Sequence, residues 1–235
     1  MNDMDFVKAF VSQREIIDEG IKRESCLVRA LEDARRLYSK EDTLQEIVLR
    51  SQNQENNPER ENQLMYQMGD IPFLSLVGYL ILLDLIGEVF TKKGKGNNIE
   101  NAINYFGTKN LRHCKCEVYA LRNSLAHNYG LINIHPKPQK DADYSHKFML
   151  STESSNIGIF EKAGDWQRKD WSDKSETTST KVNVPRLIEE IENLHKTLIQ
   201  KVEDGDYAIG LQDGIEELKS RFTIRTNINN ASNSV

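Results

Sequence analysis

Four polar side chains that could do chemistry lie close together in the segment EVYALRNSLAHNYGL, residues 117–131: Arg122, Asn123, His127 and Tyr129. An imidazole titrates near neutral pH and can carry a proton in either direction. A guanidinium keeps its charge and presents a planar set of donors that fits a phosphate. Together these groups can cleave RNA without a metal. One group removes the proton of the 2′-hydroxyl, another protonates the leaving 5′-oxygen, and the arginine stabilises the pentavalent phosphate.

The helical spacing of these residues limits how they can meet. Asn123 and His127 are four positions apart, hence on one helix face, so the asparagine can hydrogen-bond one imidazole nitrogen and fix the tautomer. Arg122 and His127 are five positions apart, about 140° around the helix axis. They converge only through the length of the arginine, a break in the last turn, or a second copy of the chain. Because two histidines serve proton transfer better than one, we expect a homodimer.

The same residues also fit a structural explanation. Arg122 can form a salt bridge with a neighbouring helix, and His127 can cap the end of its own helix. A helix that only has to stop can do so at a glycine, and Gly130 already supplies one. The additional polar residues therefore favour the chemical interpretation over the structural one.

The eight residues RNSLAHNY, from Arg122 to Tyr129, resemble the signature of the HEPN superfamily. In that signature four to six residues separate an arginine from a histidine, and a polar residue commonly follows the arginine. The resemblance implies an all-α bundle that dimerises so that two motifs line one cleft. Many members are metal-independent endoribonucleases of toxin–antitoxin or phage-defence systems. By resemblance, Arg122, Asn123 and His127 are catalytic, and no metal or cofactor is expected.

The fuller pattern, Arg-x4-His-x-Tyr, is similar to the HEPN toxins that are paired with a minimal nucleotidyltransferase antitoxin. In those toxins the tyrosine is adenylylated, which silences the toxin, so Tyr129 is by resemblance a regulatory or cleft residue. This chain is much longer than the small toxins and carries a predicted β insertion after the motif. The resemblance implies RNA as a partner, together with such an antitoxin or another defence protein.

Three lysines, Lys92, Lys93 and Lys95, are concentrated with two glycines in the segment TKKGKGNN. The segment lacks the strand–loop–helix context and the terminal Lys-Ser/Thr of a phosphate-binding loop. We interpret it as a solvated loop between helices, with a contact to the RNA backbone as the alternative.

Two further segments carry reactive or aromatic side chains. RHCKC, residues 112–116, has one histidine and two cysteines, but its cysteines point about 200° apart on a helix, and only Cys26 could complete a zinc site. We therefore expect no metal. Trp166 and Trp171 alternate with basic residues in GDWQRKDW and can either pack a hairpin or stack on bases.

The apolar pattern predicts a helical scaffold before the motif. It begins with one long amphipathic helix, whose apolar residues recur from Phe6 to Leu31. A short helix, DTLQEIVLR, is followed by a polar loop, SQNQENNPEREN, that contains Pro58. A buried apolar helix covers residues 72–91, and Asn98 is the candidate cap of a short helix that ends at Gly107.

The motif helix is predicted to start near Lys109 with an inward apolar stripe. After Gly130 the segments LINIH, HKFMLS and IGIFEK predict a small antiparallel sheet, with KVNV as its last strand. Pro185 stands in the first turn of a strongly periodic helix, and LQDGIEELKSRF predicts a shorter one.

We thus expect a single domain that is mainly α, a HEPN-like helical bundle with a small antiparallel β insertion after the motif helix. The predicted parts are the bundle at 1–128 and 185–221, the insertion at 130–184, and a disordered tail at 226–235.

The composition is typical of a soluble globular protein, with 38% hydrophobic and 29% charged residues. A net charge of −5 provides no global attraction for nucleic acid, so any RNA contact has to be local. Three cysteines indicate a reducing compartment, and the first residues lack the features of a secretion signal. The apolar run 71–90 contains Asp84 and Glu88, which favours a core helix over a membrane span. We expect a cytoplasmic protein without membrane contact.

The leading hypothesis is a homodimeric HEPN-type endoribonuclease of a toxin–antitoxin or phage-defence system. In it His127 transfers protons, Arg122 clamps the phosphate and Asn123 orients the histidine. The alternatives are a non-catalytic module of the same fold that binds RNA, a nucleotide or a protein, and a structural subunit of a larger complex.

Overall fold

A computed structural model describes most of the chain. It covers residues 1–52, 58–92, 96–128, 130–134, 144–152, 158–163 and 175–226, with the side chains of these ranges apart from residues 40–52, 58–72, 127 and 128. Within these ranges the protein has eight α-helices and two small sheets. The prediction of a mainly α fold is confirmed.

The helices form a bundle in which α3 is central. In chain order they are α1 (Asp3–Ser12), α2 (Cys26–Gln52), α3 (Pro58–Phe90), α4 (Asn98–Phe106), α5 (Lys109–His113), α6 (Lys115–Asn128), α7 (Val184–Glu203) and α8 (Gly214–Arg221). α3 packs against α2, α4, α6 and α7. Its fully buried side chains include Leu76, Leu80, Leu83 and Ile86, so the apolar run supplies the middle of the hydrophobic core.

The prediction of one long helix from Phe6 to Leu31 is wrong. α1 ends at Ser12, and a hairpin of β1 (Glu15–Asp18) and β2 (Ile21–Ser25) separates it from α2. Both turn residues, Glu19 and Gly20, have positive φ, 51° and 78°, as the tightest hairpin turns require. The apolar residues of this hairpin fit helical and alternating spacing equally well, which explains the error.

A third strand, near the end of the described chain, completes the first sheet by pairing with a strand near its start. β7 (Thr223–Thr226) pairs antiparallel with β2, so the order is β1-β2-β7. The predicted tail therefore starts inside a strand at residue 226, and residues 227–235 lie outside the described residues. The sequence pattern predicted a helix, and no strand, for the residues of β1 and β2.

The segment around Pro58 also differs from the prediction. DTLQEIVLR belongs to α2 and does not form a separate helix. Residues 58–62 of the predicted polar loop form the start of α3. Pro58 is tolerated there because the first turn of a helix leaves its backbone N–H groups unpaired, so the N–H that proline lacks is not needed. Residues 53–57 lie outside the described residues.

One segment of the described helices, Phe73–Phe90, is by length and composition apolar enough to cross a membrane. The core helices of soluble proteins pass the same test, and 56% of this segment is buried inside the protein. The cytoplasmic location and the lack of membrane contact stay predictions.

Close packing of α4 on α3 depends on a glycine. A β-carbon at Gly87 would lie 1.9 Å from the carbonyl oxygen of Asn98, so only glycine allows this approach. The cap of α4 is Asn97, one residue before the predicted Asn98, and its side chain accepts the N–H of Glu100 at 2.9 Å. The predicted end at Gly107 is confirmed.

The helix that carries the motif begins later than predicted. Lys109 starts the short α5, whose cap Thr108 accepts the N–H of Leu111 at 3.2 Å. The chain then breaks at Cys114, with φ −119° and ψ 23°, before α6 starts at Lys115. α6 packs against α3 and α4 on one side and against strands of the second sheet on another.

The second sheet is mixed, so the prediction of an antiparallel sheet is wrong in part. Its strands are β3 (Ile132–Asn133), β4 (His146–Ser151), β5 (Phe160–Glu161) and β6 (Thr180–Asn183), in the order β3-β4-β6-β5. β3 with β4 and β5 with β6 are antiparallel, but β4 and β6 are parallel. Short alternating segments do not reveal which strands become neighbours. The sheet leads directly into α7, which contains Pro185 in its first turn as predicted.

Candidate functional site

Arg122 lies at an accessible edge between α3 and α6. Its guanidinium Nη2 donates to Oδ2 of Asp84 on α3, and Nη1 donates to Oδ1 of Asn123 at 3.3 Å. The Arg122 and Asp84 side chains are 21% and 28% exposed. The guanidinium is thus held by a carboxylate and an amide, and its Nε atom is buried, while the side chain as a whole stays partly exposed.

Asn123 has a partner that the sequence did not predict. Its side-chain oxygen accepts a hydrogen bond from Arg122, whereas we expected the amide to orient His127. The contact with the arginine makes Asn123 a positioning residue for the guanidinium. The structure does not describe the side chain of His127, so a contact between it and the Asn123 amide stays a prediction.

His127 is the penultimate residue of α6, and Tyr129 lies just beyond the helix and outside the described residues. The N–H of Gly130 donates to the carbonyl oxygen of Ser124 at 3.1 Å and closes the helix end, as expected of a glycine terminator. The backbone of α6 is helical from residue 115 to 128, so no break separates Arg122 from His127. Of the three ways in which they could meet, the arginine's length and a second copy of the chain remain.

An apolar stripe borders this edge. Leu74 and Ile81 on α3 are 52% and 48% exposed, and Val77 and Leu85 are partly exposed on the same side of the helix. Asp84 extends the stripe toward Arg122. Large apolar side chains are exposed here directly beside the motif, where the homodimer hypothesis places a second subunit.

Of the three lysines, the structure describes only Lys92, which is exposed just after α3. Lys93 and Lys95 lie outside the described residues. Lys92 is eight residues after Asp84, just beyond the end of α3. A role of these lysines in RNA binding stays a prediction.

The cysteine-containing segment shows the features of core packing. Cys114 Sγ lies 3.5 Å and 3.4 Å from the carbonyl oxygens of Asn110 and Leu111. Burial, reinforced by the negative charge of Glu117, raises the pKa of the Cys114 thiol to about 12, so it is not a reactive thiolate. Among the described residues no three His, Cys, Asp or Glu side chains group as metal ligands. Trp166 and Trp171 lie outside the described residues.

Sequence reasoning missed Asp84 as part of the site. Its only signal was a carboxylate in the second half of an apolar run, where an acidic side chain needs either solvent or a cationic partner. The partner is separated from it by 38 residues, so only the tertiary structure identifies it.

Comparison with known proteins gives no match: no family model, no curated protein and no solved structure matches this chain. The resemblance to the HEPN superfamily therefore remains a prediction from the residues between Arg122 and Tyr129.

Proposed function

We propose that the protein is a metal-independent endoribonuclease of the HEPN type that acts as a homodimer. The observation that carries the proposal is the position of Arg122, at a solvent-accessible edge on the same continuous helix as Asn123 and His127. An arginine buried inside its own bundle could not reach a phosphate. The Arg122 side chain is 21% exposed, and a carboxylate on α3 orients its guanidinium.

The proposed reaction is an internal transfer of the RNA phosphate. His127 of one subunit removes the proton of a 2′-hydroxyl, whose oxygen attacks the adjacent phosphorus and forms a 2′,3′-cyclic phosphate. The bond between phosphorus and the 5′-oxygen breaks, and the second histidine of the dimer supplies the proton that this oxygen takes up. Arg122 stabilises the extra negative charge of the pentavalent phosphate. Asn123 and Asp84 keep the guanidinium in position.

The homodimer is supported by the apolar stripe on α3. Leu74, Val77 and Ile81 lie beside the motif, and burial of apolar area of this kind drives association. A two-fold axis next to this stripe would bring two copies of α6 together. Each histidine could then serve a phosphate bound by both subunits.

The biological role within this proposal is toxin–antitoxin or phage defence in the cytoplasm. A nucleotidyltransferase-like antitoxin that modifies Tyr129 is one partner that the fuller motif suggests, and another defence protein is the alternative. RNA is the substrate in either case, and no cofactor is needed.

A second candidate function is a non-catalytic module of the same fold that binds RNA, a nucleotide or a protein. The observation in its favour is the ion pair between Arg122 and Asp84, which is the structural salt bridge that the sequence allowed as an alternative. In such a module the arginine would tie α6 to α3 and would not contact a scissile phosphate.

The test compares three substrates of one sequence in excess EDTA: single-stranded RNA, the same strand with 2′-O-methyl groups, and the DNA equivalent. We expect cleavage of the RNA alone, with 2′,3′-cyclic phosphate and 5′-hydroxyl ends detected by mass spectrometry. Cleavage of the methylated strand, or activity that EDTA abolishes, would contradict the proposed mechanism. Binding of intact RNA that persists in Arg122→Ala would favour the non-catalytic module.

A further inference from the structure

A cavity of about 290 Å³ opens on a side of α6 that Arg122 does not line. It lies between four elements: Asn110 and His113 come from α5, Glu117 from α6, Phe160 and Lys162 from the region of β5, and Arg186 from the first turn of α7. Glu117 and Arg122 are five positions apart on α6, about 140° around its axis. This volume suits a small ligand.

The most unusual lining residue is Glu117, whose side chain is only 2% exposed. A buried carboxylate is costly unless a cation or hydrogen-bond donors satisfy it. The Glu117 Oε1 atom lies 2.5 Å from Nζ of Lys162, a side chain that is itself 62% exposed. The counter-ion of the buried acid is therefore a surface lysine that a ligand can displace without unfolding the core.

Two cations, Lys162 and Arg186, line the cavity together with Glu117. A second carboxylate, Glu190, lies nearby and accepts from the side chain of Asn110, another lining residue, at 3.3 Å, so the cations balance the acidic groups and do not outnumber them. Arg186 also stands in the first turn of the 20-residue α7, where the helix dipole favours an anion. The cavity can accept a negatively charged group at its rim while it offers a hydrogen-bond acceptor at its floor.

A third feature is the aromatic wall. Phe160 lines the cavity beside Ile159, and its ring packs against the Phe148 ring, with centroids 6.4 Å apart. An aromatic ring of this kind can stack on a planar base. An acceptor floor and an aromatic wall match the edge and the face of a base, and a cationic rim matches the phosphate of a nucleotide.

We propose that this cavity binds a guanine nucleotide, either free or as one residue of an RNA strand. The guanine base presents two neighbouring donors, N1–H and the N2 amino group, that fit the two oxygens of the Glu117 carboxylate. The base stacks on Phe160. Lys162 leaves the Glu117 carboxylate and binds the phosphate instead, and Arg186 also binds the phosphate. The other bases offer a single donor group at the corresponding edge and fit the carboxylate less well.

The test is calorimetric titration of the full chain, in EDTA, with GMP, AMP, CMP, UMP, guanosine and inorganic phosphate. We expect GMP to bind about tenfold more tightly than AMP, which corresponds to one good hydrogen-bond pair. Glu117→Gln should abolish this preference. Arg186→Ala should weaken GMP but leave guanosine unchanged.

Two control variants separate this proposal from RNA cleavage and from general charge effects. Lys181→Ala removes a lysine of β6 that pairs with Glu176 and does not line the cavity, so GMP binding should persist. Arg122→Ala should also leave GMP binding intact, whatever it does to RNA cleavage. Circular dichroism checks that each variant is folded.

The source of the nucleotide is resolved by competition. If GMP displaces a bound single strand that contains guanine, and a strand without guanine does not bind, the ligand is a residue of an RNA strand. GMP binding that leaves RNA affinity unchanged would identify the free nucleotide. Two results would overturn the proposal. One is that no nucleotide shows saturable binding, and the other is that GMP, AMP, CMP and UMP bind equally and Glu117→Gln does not change their affinity.

Discussion

At the scale of single residues, Asp84 determines what Arg122 can do. An ion pair between partly exposed side chains contributes about 1 kcal/mol or less to folding, so stability alone is a weak reason for a carboxylate in an apolar helix. In the proposed site it orients the guanidinium, and it also competes with the phosphate for the same donors. The sequence indicated Arg122, Asn123 and His127, because their types and spacing are local. It did not indicate Asp84, whose role depends on contact between α3 and α6.

This dual role predicts opposite effects of Asp84→Asn on binding and turnover. Removal of the charge should lower KM for RNA, while loss of orientation should lower kcat by about tenfold. Steady-state cleavage of a fluorescent RNA measures both constants. Glu88→Gln, one turn further along α3, removes the same charge without touching Arg122 and should leave kcat unchanged. An unaltered kcat in Asp84→Asn would show that the ion pair has no positioning role.

A second prediction at this scale concerns His195, which is buried on α7. Burial, the largest effect, holds the pKa of His195 below its usual value of 6.5, and the charge of Arg35 adds to it, although the hydrogen bond with the Val11 carbonyl oxygen and the charge of Glu192 oppose the shift. The unfolded chain therefore takes up a proton near pH 6.5 that the folded protein does not. The stability that comes from this difference is fully present above pH 6.5 and declines as the pH falls from there toward the folded pKa.

Urea unfolding across this pH range, with and without His195→Gln, tests the assignment. The variant should show a shallower loss of unfolding free energy below pH 6.5, because glutamine has no proton to bind. A variant at a solvent-exposed histidine, His113→Gln, controls for the loss of a histidine as such. An identical slope in wild type and His195→Gln would exclude His195 as the source of the acid sensitivity.

At the scale of elements, the sequence predicted the long periodic helices well and the short or ambiguous segments poorly. The apolar run of α3 is long and nearly continuous, and the apolar residues of α7 recur with one helical period, so both helices were identified. The β1–β2 hairpin was missed because Ile17 and Ile21 are four residues apart and fit a helix face, although both are exposed in the structure. The neighbours of each strand depend on contacts distant in sequence, as the parallel pairing of β4 with β6 shows.

The contact of α3 with α4 gives a prediction at this scale. Gly87→Ala places a methyl group against the backbone of Asn98, so the helices have to separate and the free energy of unfolding should fall by about 2 kcal/mol or more. A β-carbon at Gly78 on the same helix would lie 3.0 Å from the methyl group of Ala34 and 3.5 Å from its α-carbon, so Gly78→Ala should cost much less. Urea titration compares the free energies of unfolding of the two variants. Both gain the same helix propensity from the change of glycine to alanine. Equal effects would mean that the close approach at Gly87 does not limit packing.

At the scale of the whole molecule, the central inference is that two copies of the chain share one site. Within α6, Arg122 and His127 are on one unbroken helix at positions about 140° apart around its axis, so a partner subunit offers the simplest way to bring two motifs together. The exposed stripe of α3 beside them supplies an apolar surface for that contact. Neither the stripe nor its proximity to Arg122 could be read from the sequence, where the run appears uniformly apolar.

Sedimentation analysis of Ile81→Glu tests this arrangement. A charge in the middle of the stripe should convert a dimer to a monomer and remove RNA cleavage together with dimerisation. Ile17→Glu is the matched control, because Ile17 is 66% exposed on β1, away from α3, and should leave the dimer intact. A dimer that survives Ile81→Glu would place the interface elsewhere.

The most direct measurement is the initial rate of RNA cleavage in excess EDTA for the wild-type protein, Arg122→Ala, His127→Ala and the Lys181→Ala control. We expect cleavage by the wild type and by the control, and a loss of about a hundredfold or more in each of the two motif variants. Undiminished cleavage by folded Arg122→Ala or His127→Ala protein, or no cleavage by the wild-type dimer, would contradict the proposed function.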